Sequence, residues 1–449
     1  MRYLPLTDTA REEIKKAIGI DDCKELFKSI PADKSYFDLA AIPSALSEPE
    51  LIAEFKAMGR KNFFPGYLSF LGAGAYAHFI PEVVAYLSAK GEFLTPYTPY
   101  QPEVSQGNLQ AIFEYQTMMT MLTGLDVANA SLYDGATAVA EAVLLAVRKS
   151  GRQRILLADS LHPEYSAVVR TYTQNLPIEL VTVNVNEADG RINLNDLQAK
   201  LNDQTAALVF QSPNFLGVVE DSAVLAQAVH PQHAYAVQAV AEAMSLAYLR
   251  PAADFAVDVV AGEAQSFGLS LGFGGPYLGF MTAREEFLRQ MPGRIVGQTK
   301  DLDGKRGYVL TLSTREQHIK REKAMSNICS NEAWCALRAG MYLATMGKDG
   351  LALAAGDSHL HAAYFVSKAA KSRQVRIVYQ KNFYNEVLLE IKKGTAEAFL
   401  TALKKNKILA GVPLNWFYPT VSNRVLLAFS EVHSREDIDR LLQAMGEYS

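Results

Sequence analysis

Four groups of residues in this 449-residue sequence could do chemistry, and the turn within residues 259–280 (VVAGEAQSFGLSLGFGGPYLGF) decides how the others read. An apolar strand over residues 255–261, interrupted by Asp258, ends at Gly262. A turn then carries Glu263, Gln265 and Ser266, followed by a glycine-rich bend and a second apolar strand. The carboxamide of Gln265 cannot form an imine, and no lysine occurs between Lys200 and Lys300. The second group is Asp134-Gly135-Ala136-Thr137, a turn into a helix whose free N–H groups can hold a phosphate. For any single match of this kind, an aspartate capping its own helix is the commoner meaning. The third is the loop GEFLTPYTPYQPEVSQGNLQ, where three prolines in seven residues forbid a helix. It carries Tyr97, Tyr100, Gln101, Glu103, Ser105 and Gln106, and a rigid loop presents such groups to a small polar ligand at little entropic cost. A structural loop with satisfied tyrosines has the same composition. The fourth is a run of basic residues, Arg294, Arg306, Arg315, Lys320, Arg321 and Lys323.

Histidine and cysteine add little. The pairs His230/His233 and His359/His361 lack a ligand cluster around them, so no metal site is expected. Three cysteines, Cys23, Cys329 and Cys335, are an odd count that suggests reduced thiols in the cytoplasm, with the last two as structural thiols on a helix. A net charge of −4 does not indicate nucleic acid or an anionic membrane as partner. No apolar run reaches the ~18–20 residues of a membrane span.

The elements that must position these groups follow from pattern. Residues 1–90 read as a helical N-terminal extension. Thr9 is a candidate cap for AREEIKKAIG, with Gly19 closing it, and Ser47 with Glu50 forms a capping box before Leu51, Ile52, Phe55 and Met58. The segment FFPGYLSFLGAGAYAHFIP is aromatic, glycine-rich and almost uncharged, which favours slightly an ordered loop pressed against another protein over a buried connector. Gly107 opens a helix that Gly124 ends. Between Arg152 and Ala283, the runs ILLA, IELVTV, AALVFQ, AYAVQAV, FAVDVVA and YLGFMTA alternate with helical stretches, the pattern of a mostly parallel sheet flanked by helices. Residues 314–346 have helical composition over most of their length. They lead to a smaller α/β domain with strands VRIVYQ, NEVLLEI and NRVLLAFS, where Ser434 and Asp437 form another capping box. The expected domains are 1–90, 91–345 (large) and 346–449 (small).

The motifs FLTPYTPYQPEVSQG, NASLYDGATAVAEA, GEAQSFGLSLGFGGPYLGF, MPGRIVGQT and TREQHIKREKAMSNIC resemble the glycine-cleavage-system P-protein (glycine decarboxylase), and more narrowly its N-terminal half. The resemblance covers essentially the whole chain. It implies a fold-type-I, pyridoxal-phosphate-dependent-transferase-like α/β fold. It also implies an α2β2 assembly in which this chain is the lysine-less α subunit and the β subunit holds pyridoxal phosphate. That assembly decarboxylates glycine and passes the aminomethyl group to the lipoyl arm of H-protein, with the cofactor as electron sink.

On this resemblance Gln265 stands where the catalytic half places its Schiff-base lysine, so no residue of this chain is catalytic. Glu242 stands near the place of the aspartate that faces the pyridinium nitrogen, its extra methylene pushing the carboxylate toward the ring. Glu242-Ala243 also replaces an expected Asp-Pro. Asp134, Gly135, Ala136, Thr137, Glu242, Gln265 and Ser266 then form a vestigial cofactor pocket. The loop residues Tyr97, Tyr100, Gln101, Glu103, Ser105 and Gln106 line the partner's active site or the lipoyl channel. The basic run steers the acidic H-protein, or is scattered surface charge. An autonomous pyridoxal-phosphate lyase or decarboxylase, and a purely architectural subunit, are the alternatives.

Overall fold

A computed structural model describes residues 6–30, 42–62, 66–328 and 330–448. The chain divides into two compact units, residues 1–64 and 65–449. The first holds helices α1 (Asp8–Ile18) and α2 (Glu48–Gly59). Thr7, not Thr9, caps α1: its hydroxyl accepts from Ala10 N at 3.2 Å. Starting two residues earlier than expected places Asp8 among the free N–H groups, where the helix dipole favours a carboxylate. Gly19 closes the helix in the left-handed conformation, at φ 81°. The Ser47/Glu50 capping box forms as expected. Neither helix buries a residue.

The second unit is built on a seven-stranded sheet. Its strands are β2 (Val127–Ala128), β3 (Arg154–Ala158), β4 (Glu179–Val183), β5 (Thr205–Gln211), β6 (Tyr235–Val240), β7 (Val259–Glu263) and β8 (Gly279–Ala283), while the earlier β1 (Leu68–Ser69) lies outside that sheet. The large sheet runs β2-β8-β7-β6-β5-β3-β4. Strands β4, β3, β5, β6 and β7 are mutually parallel, while β8 and β2 join antiparallel at one edge. Alternate residues feed two cores: Leu156, Leu208 and Phe210 face one layer of helices, and Ile155, Ala207 and Val209 the other. Burial on both faces is why these strands read as unbroken apolar runs.

Helices α3 (Glu82–Ser88), α4 (Gly91–Leu94), α5 (Gln106–Thr123), α6 (Gly135–Ser150), α7 (Pro163–Thr173), α8 (Leu194–Lys200) and α9 (Ser222–Val229) accompany the sheet. A hairpin of β9 (Ile295–Lys300) and β10 (Arg306–Thr311) follows, then the short α10 (Gln317–Lys320) and the long α11 (Ala333–Ala369), which kinks at Gly347. The chain ends with β11 (Val375–Ile377), β12 (Glu386–Ile391), α12 (Ala396–Lys405), β13 (Ile408–Leu409), β14 (Val412–Pro413), β15 (Arg424–Ala428) and α13 (Arg435–Gly446). Its antiparallel sheet is ordered β11-β12-β15-β14 over a core of Phe365, Phe399, Phe429, Ile438 and Leu441.

Two expected elements change. Phe255 lies in a 3-10 turn rather than in β7, because Ala256 takes the left-handed conformation (φ 60°). Asp258 then spends its carboxylate on Ala236 N and His230. Residues 314–328 and 330–332 do not form one helix. Left-handed backbone at Leu312 and Arg321 breaks them into short turns, and the regular helix begins at Ala333. Cys335 is buried on that helix, which pushes its thiol up to about 12. Cys23 is exposed, and Cys329 lies outside the described residues.

Candidate functional site

Open α/β sheets bind ligands beyond the carboxyl ends of their strands. Here β3 leads to His162, β6 to Glu242 and β7 to Gln265, with the start of α6 alongside. That seat is filled by the chain itself. Residues 72–79, expected to press against another protein, run through it instead; Phe63, Phe64 and Pro65 of that segment lie outside the described residues. Gln265 is 1% exposed. Its Oε1 accepts from Tyr76 N at 2.9 Å, and its Nε2 donates to the carbonyls of Tyr76 (3.0 Å) and Leu269 (2.7 Å). The amide stitches two strands of backbone together, as only a group with both donor and acceptor can. Ser266 beside it is buried.

Glu242 does not extend into open space. Its Oε1 accepts from Met244 N (2.8 Å), and its Oε2 lies 3.2 Å from His78 Nε2. The other ring nitrogen of His78 is 2.7 Å from Glu431, which also accepts from Phe79 N at 2.7 Å. Burial alone would lower the pKa of His78, but the two carboxylates outweigh it and raise it to about 10. Five residues back, Ala73 N donates to Glu386 (2.7 Å), and the Tyr76 hydroxyl donates to the same carboxylate (3.0 Å). The carbonyl of Ala73 accepts from His162 Nε2 (2.9 Å), whose Nδ1 takes the N–H of Glu164. Gly74, at φ 107°, is required there: a Cβ would stand 2.8 Å from His162 Nε2.

The helix start is also taken. Asp134 caps its own helix through Thr137 N (2.8 Å), with the Thr137 hydroxyl returning to the Asp134 N–H. The N–H of Gly135 donates to Glu263 Oε2 at 2.9 Å. Glu263 Oε1 accepts from Gln265 N and Leu278 N. Burial, with Asp134 adding to it against these backbone bonds, raises Glu263 to about 7. Ala136 is buried and brings no donor. Pyridoxal phosphate does not fit these residues. Its phosphate would face two carboxylates, its ring nitrogen would meet a glutamate engaged by histidine, and its aldehyde would find an amide.

The proline loop differs. Tyr97 is 79% and Tyr100 55% exposed, and Gln101 and Glu103 are exposed beside them. Behind Tyr97 lies a cavity of about 160 Å³ lined by Phe93, Leu94, Pro99 and Trp334. Ser105 is half-buried. Gln106 is exposed and staples the loop: its Nε2 donates to the carbonyls of Pro102 and Tyr308, and its Oε1 accepts from Tyr308 N.

The family model described as glycine cleavage system P-protein matches residues 1–445. The chain belongs to the P-protein family. A probable glycine dehydrogenase (decarboxylating) subunit 1 of Koribacter versatilis is 43% identical over 100% of both chains, and one of Moorella thermoacetica 45% over 99% of both. The crystal structure of a glycine decarboxylase (P-protein) in inhibitor-bound form superposes with a TM-score of 0.86, at 39% identity over 100% of both chains. A Burkholderia pseudomallei sphingosine-1-phosphate lyase (TM-score 0.66, 12% identity, 93% and 94% covered) shares the fold alone.

The basic run of this P-protein chain does not form one surface. Arg294 and Arg315 are buried, a correction to their expected place in a steering patch. Arg315 donates to the carbonyls of Leu312, Met291 and Gly293, holding the irregular segment that replaces the expected helix. Arg306, Lys320, Arg321 and Lys323 are exposed. The signal sequence reading missed is His78, a lone histidine whose partners Glu242 and Glu431 lie far away in the chain. Among the described residues no group of three or more His, Cys, Asp or Glu is placed to hold a metal ion, and no helix is long and apolar enough to cross a membrane.

Proposed function

We propose that this chain is subunit 1 of a cytoplasmic glycine dehydrogenase (decarboxylating), the lysine-less half of an α2β2 P-protein. In this reading the partner subunit holds pyridoxal phosphate, which supplies the electron sink when bound, and the lipoyl arm of H-protein takes the aminomethyl group. The observation that carries the reading is Gln265, an amide hydrogen-bonded on both sides in the seat of the imine-forming amine. Its own residues do not make a second cofactor site, which argues against an autonomous lyase. The named relatives, aligned end to end, support a subunit role.

What this chain brings to the reaction is the exposed loop. Tyr97, Tyr100, Gln101, Glu103, Ser105 and Gln106 line the partner's site and orient substrate, and Gln106 also fixes the loop that presents them. Arg306, Lys320, Arg321 and Lys323 form the positive surface that an acidic H-protein meets. Glycine–bicarbonate exchange with the lysine-bearing subunit added, and none without it, is the expected result. Exchange by the isolated chain, or a borohydride-trapped pyridoxyl adduct on it, overturns the proposal. Added salt should slow transfer to H-protein; an unchanged rate removes the steering role.

A further inference from the structure

Arg294 has no part in a surface field, yet it touches the loop that faces outward. Arg294 is 5% exposed, and its guanidinium stands beside Asn331, Tyr100 and Glu316 among the described residues. One Nη donates to Asn331 Oδ1 at 3.1 Å and the other to the Tyr100 hydroxyl at 3.3 Å, while Nε lies 3.9 Å from Glu316. The guanidinium carbon also stands 5.6 Å from the centre of the Tyr100 ring, and His318 meets that ring edge-on at 5.9 Å. Asn331 is oriented in turn: its Nδ2 donates to Ser131 Oγ at 2.8 Å, which leaves its Oδ1 toward the arginine. A chain Ser131–Asn331–Arg294, buried at its two ends, thus leads to a tyrosine that is more than half exposed.

Arginine has five N–H donors and no acceptor, so the Tyr100 oxygen must accept this bond. The phenolic hydrogen is left to point elsewhere, and among the described residues no acceptor is placed for it. A tyrosine held this way is an oriented donor backed by positive charge, a match for an anionic oxygen. Glu316, itself buried, offsets part of that charge, while Tyr100 as a residue is more than half exposed.

We propose that Arg294 is a positioning residue for the glycine reaction, holding Tyr100 as an outward hydrogen-bond donor to the substrate carboxylate in the partner's site. This rests on the reading that loop 97–106 lines that site. Arg294 acts through Tyr100 and does not itself touch substrate.

The test uses the assembled complex of both subunits, with exchange kinetics on Tyr100→Phe, Arg294→Gln, Arg294→Lys and the double variant. Tyr100→Phe should raise the KM for glycine about tenfold with a smaller change in kcat, since one hydrogen bond to a charged group is lost. Arg294→Gln should show the same split, and the double variant should be no worse than the poorer single. Lysine keeps the charge without the fork, so Arg294→Lys should fall between wild type and Arg294→Gln. Inhibition by acetate should weaken in parallel. If Arg294→Gln does not assemble, Asn331→Ala loosens the same guanidinium from its far end and should raise the glycine KM about threefold. A wild-type KM in the arginine and asparagine variants, or losses that multiply in the double variant, overturns the positioning role while leaving the loop reading intact. A wild-type Tyr100→Phe overturns both, and that outcome tells the two failures apart.

Discussion

The seat around Gln265 and the loop around Tyr100 lie in the same unit and are treated in opposite ways. In the seat, residues 72–79 supply a partner for nearly every polar group that a ligand could have used: Gln265, Glu242, Glu386, Glu431 and His162. On the loop, Tyr97, Tyr100, Gln101 and Glu103 are exposed, while Gln106 anchors them from below. Polar groups satisfied inside a chain hold it together; polar groups displayed on a stiff loop are for something outside it.

The comparison predicts a graded set of effects. His78→Ala should be the most damaging, because it takes the histidine from the buried Glu242 and the partly buried Glu431; a loss of about 3–5 kcal/mol by denaturant unfolding is expected. The same contact sets an alkaline limit. A histidine raised from 6.5 to about 10 gives its full stabilisation below pH 6.5 and loses it as pH climbs through 10. Glu263 and Glu386, both raised to about 7 by burial, add a decline between pH 4.5 and 7. Midpoints measured between pH 7 and 9, below the range where the raised Cys335 thiol acts, therefore isolate His78, and His78→Gln should flatten that limb. Next is Gln265→Lys, which deprives Tyr76 N of its acceptor; about 1–3 kcal/mol is expected, with no visible Schiff-base absorbance on adding pyridoxal phosphate. Formation of that absorbance would mean residues 72–79 yield readily. Smallest is Tyr97→Ala, within about 0.5 kcal/mol of wild type in stability but slower in the assembled complex. A large stability loss there would place Tyr97 in the structural region instead.

Much of this arrangement was legible in the sequence, for reasons that can be named. The strands of the large sheet announce themselves because both faces are buried, and Asp134, Ser47 and Ser434 cap helices through partners only three residues away. Local bonds leave local signatures. Irregular segments held by distant groups do not: residues 314–332 have helical composition, but Arg315 ties them to the carbonyls of Met291 and Gly293. The glycine-rich segment FLGAGAYAHF was noticed for its composition, yet its destination depends on Glu386 and Glu431, more than three hundred positions onward. No spacing rule spans that distance. The basic run shows the same limit, since sequence alone does not tell an arginine that serves carbonyls inside from one that faces solvent.

The Glu263 carboxylate on the Gly135 N–H has a consequence for the cell. A protein that must load a coenzyme draws part of its stability from it by mass action and weakens when the vitamin runs short. Here the Gly135 N–H at the start of α6 is already taken by a side chain of the same polypeptide. A donor already satisfied from within gains nothing in stability from an added phosphate.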